Sequence, residues 1–146
     1  MSGSDELLSL FGTYATLATV KMMLLSAYMG RIRMKTKTFA NPEDIINPKK
    51  NKIGVGIDED IERVRRCHLN DLENIVPFLF IGSVYTLTNP SYFVAAMHFR
   101  VFFASRIAHS LAYLIPIPQP ARLLAFATGW FTVLSMAVQV LMQGNL

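Results

Sequence analysis

Ile75-Val76-Pro77-Phe78-Leu79-Phe80-Ile81-Gly82-Ser83-Val84-Tyr85-Thr86-Leu87 is apolar but too short to cross a bilayer. Directly before it stands Glu62-Arg63-Val64-Arg65-Arg66-Cys67-His68-Leu69-Asn70-Asp71-Leu72-Glu73-Asn74, which is polar. A membrane-crossing helix needs about 20 mostly apolar residues. A helix through this region therefore has to begin earlier, within the polar stretch Asp60 to Asn74, and its polar half must lie at the interface or face other helices rather than lipid.

Three longer apolar runs surround it. Leu7 to Gly30 is interrupted only by Lys21; Tyr92 to Leu114 contains Arg100, Arg106 and two histidines; Ala121 to Met142 carries only Arg122. The chain is 52% hydrophobic with a mean hydropathy of +0.35, and its apolar residues come in blocks, so the bilayer is the appropriate solvent. The expected fold is an all-α integral membrane bundle of four transmembrane helices in one domain, 1–146. Its spans fall near 7–33, 60–88, 92–115 and 119–143, with a loop near 36–58. Thr88-Asn89-Pro90-Ser91 and Pro116-Ile117-Pro118-Gln119-Pro120 are turn sequences, which makes the last three spans antiparallel neighbours. No basic segment precedes the first run and no small-residue cleavage site follows it, so it reads as a retained span, not a secretory signal.

Ten of the 14 Lys and Arg residues lie between Arg31 and Arg66. The positive-inside rule places that first loop in the cytosol and both chain ends in the lumen. Lys49, Lys50 and Lys52 read as a headgroup anchor. The single cysteine, Cys67, permits no intrachain disulfide and has no metal-site spacing, so no metal is expected.

All ten acidic residues occur at or before Glu73, leaving Arg100, Arg106 and Arg122 without acidic neighbours in the second half of the chain. An arginine inside a span costs about 2.5–3.5 kcal/mol or more and is a functional-site candidate by default. Either carboxylates of the second span pair with these arginines or an anionic ligand does. Steps of three and four place Arg106, His109 and Tyr113 on one face of the third span, and Arg66, Asn70 and Glu73 on one face of the second. Arg122 opens the fourth span and Arg33 closes the first, so four helices deliver cationic or hydrogen-bonding groups to one cytosolic level. A guanidinium donates two parallel hydrogen bonds to a carboxylate. The level suits a small, multiply charged anion, and glutathione, with two carboxylates, an ammonium and a thiol, fits; nucleotides, phospholipid heads and fatty-acid anions are the other candidates. Glu73 or Asp71 would meet an ammonium. Lys21 is expected to pair with Asp71 or Glu73, His98 to pack or bond between helices, Tyr85, Tyr92 and Trp130 to be belt or core aromatics, and Arg100 to snorkel or meet a neighbouring subunit.

The segments Phe39-Ala40-Asn41-Pro42-Glu43-Asp44, Glu62 to Asn74, Arg106-Ile107-Ala108-His109 and Pro118-Gln119-Pro120-Ala121-Arg122 resemble the MAPEG superfamily of membrane-associated proteins in eicosanoid and glutathione metabolism. The resemblance runs from about Leu7 to the end of the chain. It implies a homotrimer in the membranes of the endoplasmic reticulum and the outer mitochondrial membrane, with glutathione as co-substrate between adjacent subunits. It further implies that Arg33, Arg66, His68, Asn70, Glu73, Arg106, His109, Tyr113 and Arg122 surround the peptide and that Arg122 is catalytic. The implied activity is a glutathione transferase acting on lipophilic electrophiles, with peroxidase activity on lipid hydroperoxides. The expected partners are other copies of the chain and membrane lipids, with no nucleic acid. Two other activities of the superfamily compete: a glutathione-dependent prostaglandin E synthase (isomerase) and a non-catalytic lipid-binding scaffold. Leu123 and Phe126 stand where the isomerase branch has serine and tyrosine, and Ile45 stands where mammalian transferases carry an activating cysteine. The sensor role of that cysteine does not transfer to Cys67.

Overall fold

The computed structural model describes residues 3–45, 47, 52–53 and 58–143, the pair 52–53 by backbone alone. Lys49, Lys50 and the Lys52 side chain, read above as a headgroup anchor, lie outside the described residues.

Four helices make up the fold: α1 (Gly3–Thr36), α2 (Glu59–Leu87), α3 (Tyr92–Leu114) and α4 (Ala121–Gln143). At 1.5 Å per residue, α1 is about 51 Å long, well beyond a bilayer's hydrocarbon core. It overshoots the expected span at both ends because Asp5 and Glu6 fill its first turn and Arg33 and Lys35 its last, each sign complementing the helix dipole. Lys37, just past the end, takes φ 55°, the left-handed conformation that commonly stops a helix.

The polar entry to α2 is capped by Asp58, whose Oδ1 accepts from the amides of Asp60 at 3.1 Å and Ile61 at 3.0 Å. Asn89, at φ 49°, turns the chain into Ser91, whose Oγ accepts from the Val94 amide at 3.4 Å to start α3. The loop between α1 and α2 carries more structure than a plain connection. A 3-10 turn, Pro42–Asp44, follows Asn41, and β1 (Thr38–Phe39) pairs in parallel with β2 (Lys52–Ile53), Thr38 opposite Lys52 and Phe39 opposite Ile53.

Buried side chains form two clusters. The larger gathers Phe11, Ile75, Phe78, Tyr85, Phe99, Phe102 and Met136. Phe78 stacks on Phe102 at 3.9 Å, and Phe11 leans on Phe78 and Phe99 at 5.7 and 5.5 Å. The smaller holds Leu25, Val64 and Cys67, with Tyr113 packed beside it. A Cβ on Gly82 would meet the Phe11 ring, so Gly82→Ala is expected to overpack this point and cost about 1–3 kcal/mol. A lowered unfolding midpoint in detergent measures it.

Outward, the bundle presents Leu24, Phe80, Leu87, Phe93, Leu124, Phe131 and Met142. Two helices, α1 and α4, are long and apolar enough to cross a membrane, and their most apolar windows are only 17% and 11% buried. The core helix of a soluble protein would be mostly enclosed; these helices show their apolar surface to the surroundings.

Candidate functional site

Charged side chains inside an apolar bundle need partners. Lys21 of α1 forms an ion pair with Asp71 of α2, whose side chain is fully buried. Of the two carboxylates expected to meet Lys21, Asp71 is the one that does. Beside the pair, the Cys67 thiol lies 3.4 Å from the Ser110 hydroxyl. His98 bonds to the Val94 carbonyl at 2.8 Å and to Ser135 at 3.1 Å, the interhelix role its sequence position suggested. Arg100 donates to the Tyr14 hydroxyl at 3.3 Å.

Arg106 is fully buried. Its Nη1 donates to Asn70 Oδ1 at 3.2 Å and its Nη2 to the backbone carbonyl of Ala125 at 3.1 Å, tying α3 to α2 and α4. No carboxylate of the second span takes it, contrary to one of the two sequence expectations. Its Nε is buried without a hydrogen-bond partner. One turn on, His109 is buried, with its ring 5.1 Å from that of Tyr113. Arg122, at the start of α4, holds its guanidinium 4.8 Å over the Tyr113 ring. His109 Nδ1 and Arg122 Nε are both buried and unpartnered, a condition native proteins rarely tolerate without a ligand, water or strain to explain it.

The structure therefore brings Asn70, Arg106, His109, Tyr113 and Arg122 together. It does not bring the rest of the expected set into the same contact network. Arg66 and Glu73 are exposed and His68 is half-buried. Glu73 borders a recess of about 190 Å³ with Asn74, Pro77 and Trp130. Arg33 lines another recess, of about 380 Å³, with Asn41, Glu62 and Arg65. There Arg65 Nε donates to Glu62 at 2.9 Å. No group of three or more metal-ligating side chains occurs among the described residues.

Two contributors lay beyond the sequence reading. The Ala125 carbonyl has no side-chain signature at all. Gly129 is buried, and a Cβ there would stand 2.6 Å from Ser105 Oγ and 3.0 Å from Arg106 Nη2. A glycine in the middle of an apolar helix was the available signal for such an approach.

Outward apolar helices around a buried level of arginine, histidine and amide groups define an all-α membrane protein. The MAPEG family model matches residues 11–142. The chain belongs to the MAPEG family. It is 51% identical over 140 residues to microsomal glutathione S-transferase 1 of Mus musculus, covering 94% of this chain and 90% of that protein. The Homo sapiens protein of the same name is 48% identical over 143 residues, with the same coverage. Prostaglandin E synthase of Equus caballus is 41% identical over 137 residues, covering 94% of this chain and 89% of that one.

Proposed function

We propose that this chain is a membrane-bound glutathione transferase that joins the glutathione thiolate to hydrophobic electrophiles and reduces lipid hydroperoxides. The observation that carries the reading is Arg122: its guanidinium stands 4.8 Å over the Tyr113 ring at the N-terminal end of α4, with its Nε buried and unpartnered. A guanidinium at a helix N-terminus favours an anion twice over, by its own charge and by the helix dipole.

In this reading the glutathione thiol releases its proton to water, and Arg122 stabilises the thiolate, which is the nucleophile. The thiolate attacks the electrophilic carbon, forms the carbon–sulfur bond and expels the leaving group. With a lipid hydroperoxide, the thiolate attacks the terminal peroxide oxygen and breaks the O–O bond, giving glutathione sulfenic acid and the lipid alkoxide, which takes a proton to become the alcohol; a second glutathione thiol then displaces water from the sulfenic acid and forms the disulfide. Asn70, His109 and Tyr113 line the peptide, Glu73 meets its ammonium, and Arg33, Arg66 and His68 meet its carboxylates and backbone. Arg106 belongs to the same level, behind them. Exposure of Arg66 and Glu73 supports a site completed by a neighbouring copy, as in a homotrimer. All four helices cross the membrane as the spans of a single domain, 1–146, with the basic loop and the site toward the cytosol, in the endoplasmic reticulum and the mitochondrial outer membrane.

The isomerase reading draws on the prostaglandin E synthase relatives. Against it, positions 123 and 126 of α4 are Leu and Phe, which supply no hydroxyl near the thiol.

The test is the ultraviolet thiolate absorbance of detergent-purified protein on adding glutathione, followed by turnover of chlorodinitrobenzene and of a lipid hydroperoxide. Thiolate formation with both activities supports the transferase. Glutathione binding without either turnover points to the isomerase, and no binding at all points to a lipid-binding scaffold.

A further inference from the structure

We propose that Gly129 and Arg106 are positioning residues that set where Arg122 stands, Gly129 by providing the notch in which the buried guanidinium lies. This inference rests on the transferase reading and adds to it how the thiolate-stabilising charge is held in place.

Arg122, Ala125 and Gly129 are spaced by three and four, so they share one face of α4. Arg106 reaches that face twice: its Nη2 bonds the Ala125 carbonyl at 3.1 Å, and its Nε lies 3.1 Å from where a Gly129 Cβ would be. Neither neighbour of that point can give way cheaply. The Ser105 hydroxyl, 2.6 Å from the same position, is itself bonded to the Phe102 carbonyl at 2.6 Å. The guanidinium is tied at its other end to Asn70. An added methyl would have to push α4 away from α3, and the first turn of α4, with Arg122 on it, would move too. The unpartnered Nε of Arg106 faces the α4 backbone, unlike the Nε of Arg122, which belongs to a side chain only half-buried. Arg106 thus acts on the site through α4, without touching the peptide.

The experiment compares wild type, Gly129→Ala, Arg106→Lys and the double variant in detergent, reading thiolate absorbance against pH and, separately, glutathione affinity by equilibrium dialysis. In Gly129→Ala the thiolate titration is expected to move up by about one pH unit, an approximately tenfold loss of thiolate at fixed pH, with glutathione affinity kept within about threefold. Lysine presents a slimmer head at position 106 but leaves the Ser105 hydroxyl in place, so adding Gly129→Ala to Arg106→Lys should cost less than adding it to wild type, by the guanidinium's share of the clash, the non-additivity of two groups in contact. If Gly129→Ala does not fold, Arg106→Lys alone must still shift the titration more than it weakens binding. An unchanged titration in both single variants, equal costs in the two backgrounds, or a loss of affinity matching the loss of thiolate would each overturn the inference. Absence of a thiolate band in wild type would instead remove the transferase reading itself.

Discussion

Replacing Arg122 by alanine is expected to abolish most thiolate formation while leaving glutathione bound. An opposite charge within about 4–6 Å lowers an acid's pKa by about one to three units, so removing it should reduce the thiolate fraction at neutral pH by about 10- to 1000-fold. The peptide's carboxylates and ammonium keep their other partners, so affinity should change far less than kcat/KM. The variant also exposes the Tyr113 ring that Arg122 now covers, a local change that leaves the core untouched. Thiolate absorbance and chlorodinitrobenzene turnover, measured beside equilibrium dialysis of glutathione, separate the two effects. Turnover at the wild-type level would show that the charge acting on sulfur comes from elsewhere.

The second large effect lies away from the reacting sulfur. Lys21→Met would strand Asp71, whose side chain is fully buried and already has one oxygen without a partner. Breaking a buried ion pair from one side costs about 3–5 kcal/mol, whereas replacing both members by apolar side chains is often neutral or better. Lys21→Met and Asp71→Leu are therefore each expected to lower the unfolding midpoint in detergent sharply, and the double variant to recover most of the loss. Single variants as stable as wild type would mean that water or a lipid headgroup reaches the pair in the assembled protein.

Some of this arrangement was legible in the chain and some was not, for identifiable reasons. Prolines at 90, 116, 118 and 120 fence α3 and α4, so their bounds were readable to within a few residues. The ends of α1 were not, because terminal charges that satisfy a helix dipole look the same in sequence as charges that end a span. Lys21 had to find a carboxylate, and Asp71 was one of two within reach. The shared face of Arg106, His109 and Tyr113 followed from helical spacing. The pairing of β1 with β2 involves two residues on each side, too few to show any periodicity. That Arg33 would sit with Glu62 and Arg65 in a recess depends on how the loop folds back, which the placement of the helices alone does not determine. The grip of Arg106 on α4 uses a main-chain oxygen and a missing side chain, neither of which leaves a residue type to read.

A catalyst that handles alkylating compounds dissolved in lipid is exposed to its own substrates. An accessible cysteine thiol on it would be alkylated in competition with glutathione. Here the sole cysteine is walled in completely, its sulfur against the Ser110 hydroxyl and its flanks against Leu25 and Val64. The only thiol offered to the bilayer's electrophiles is then the replaceable one carried by glutathione.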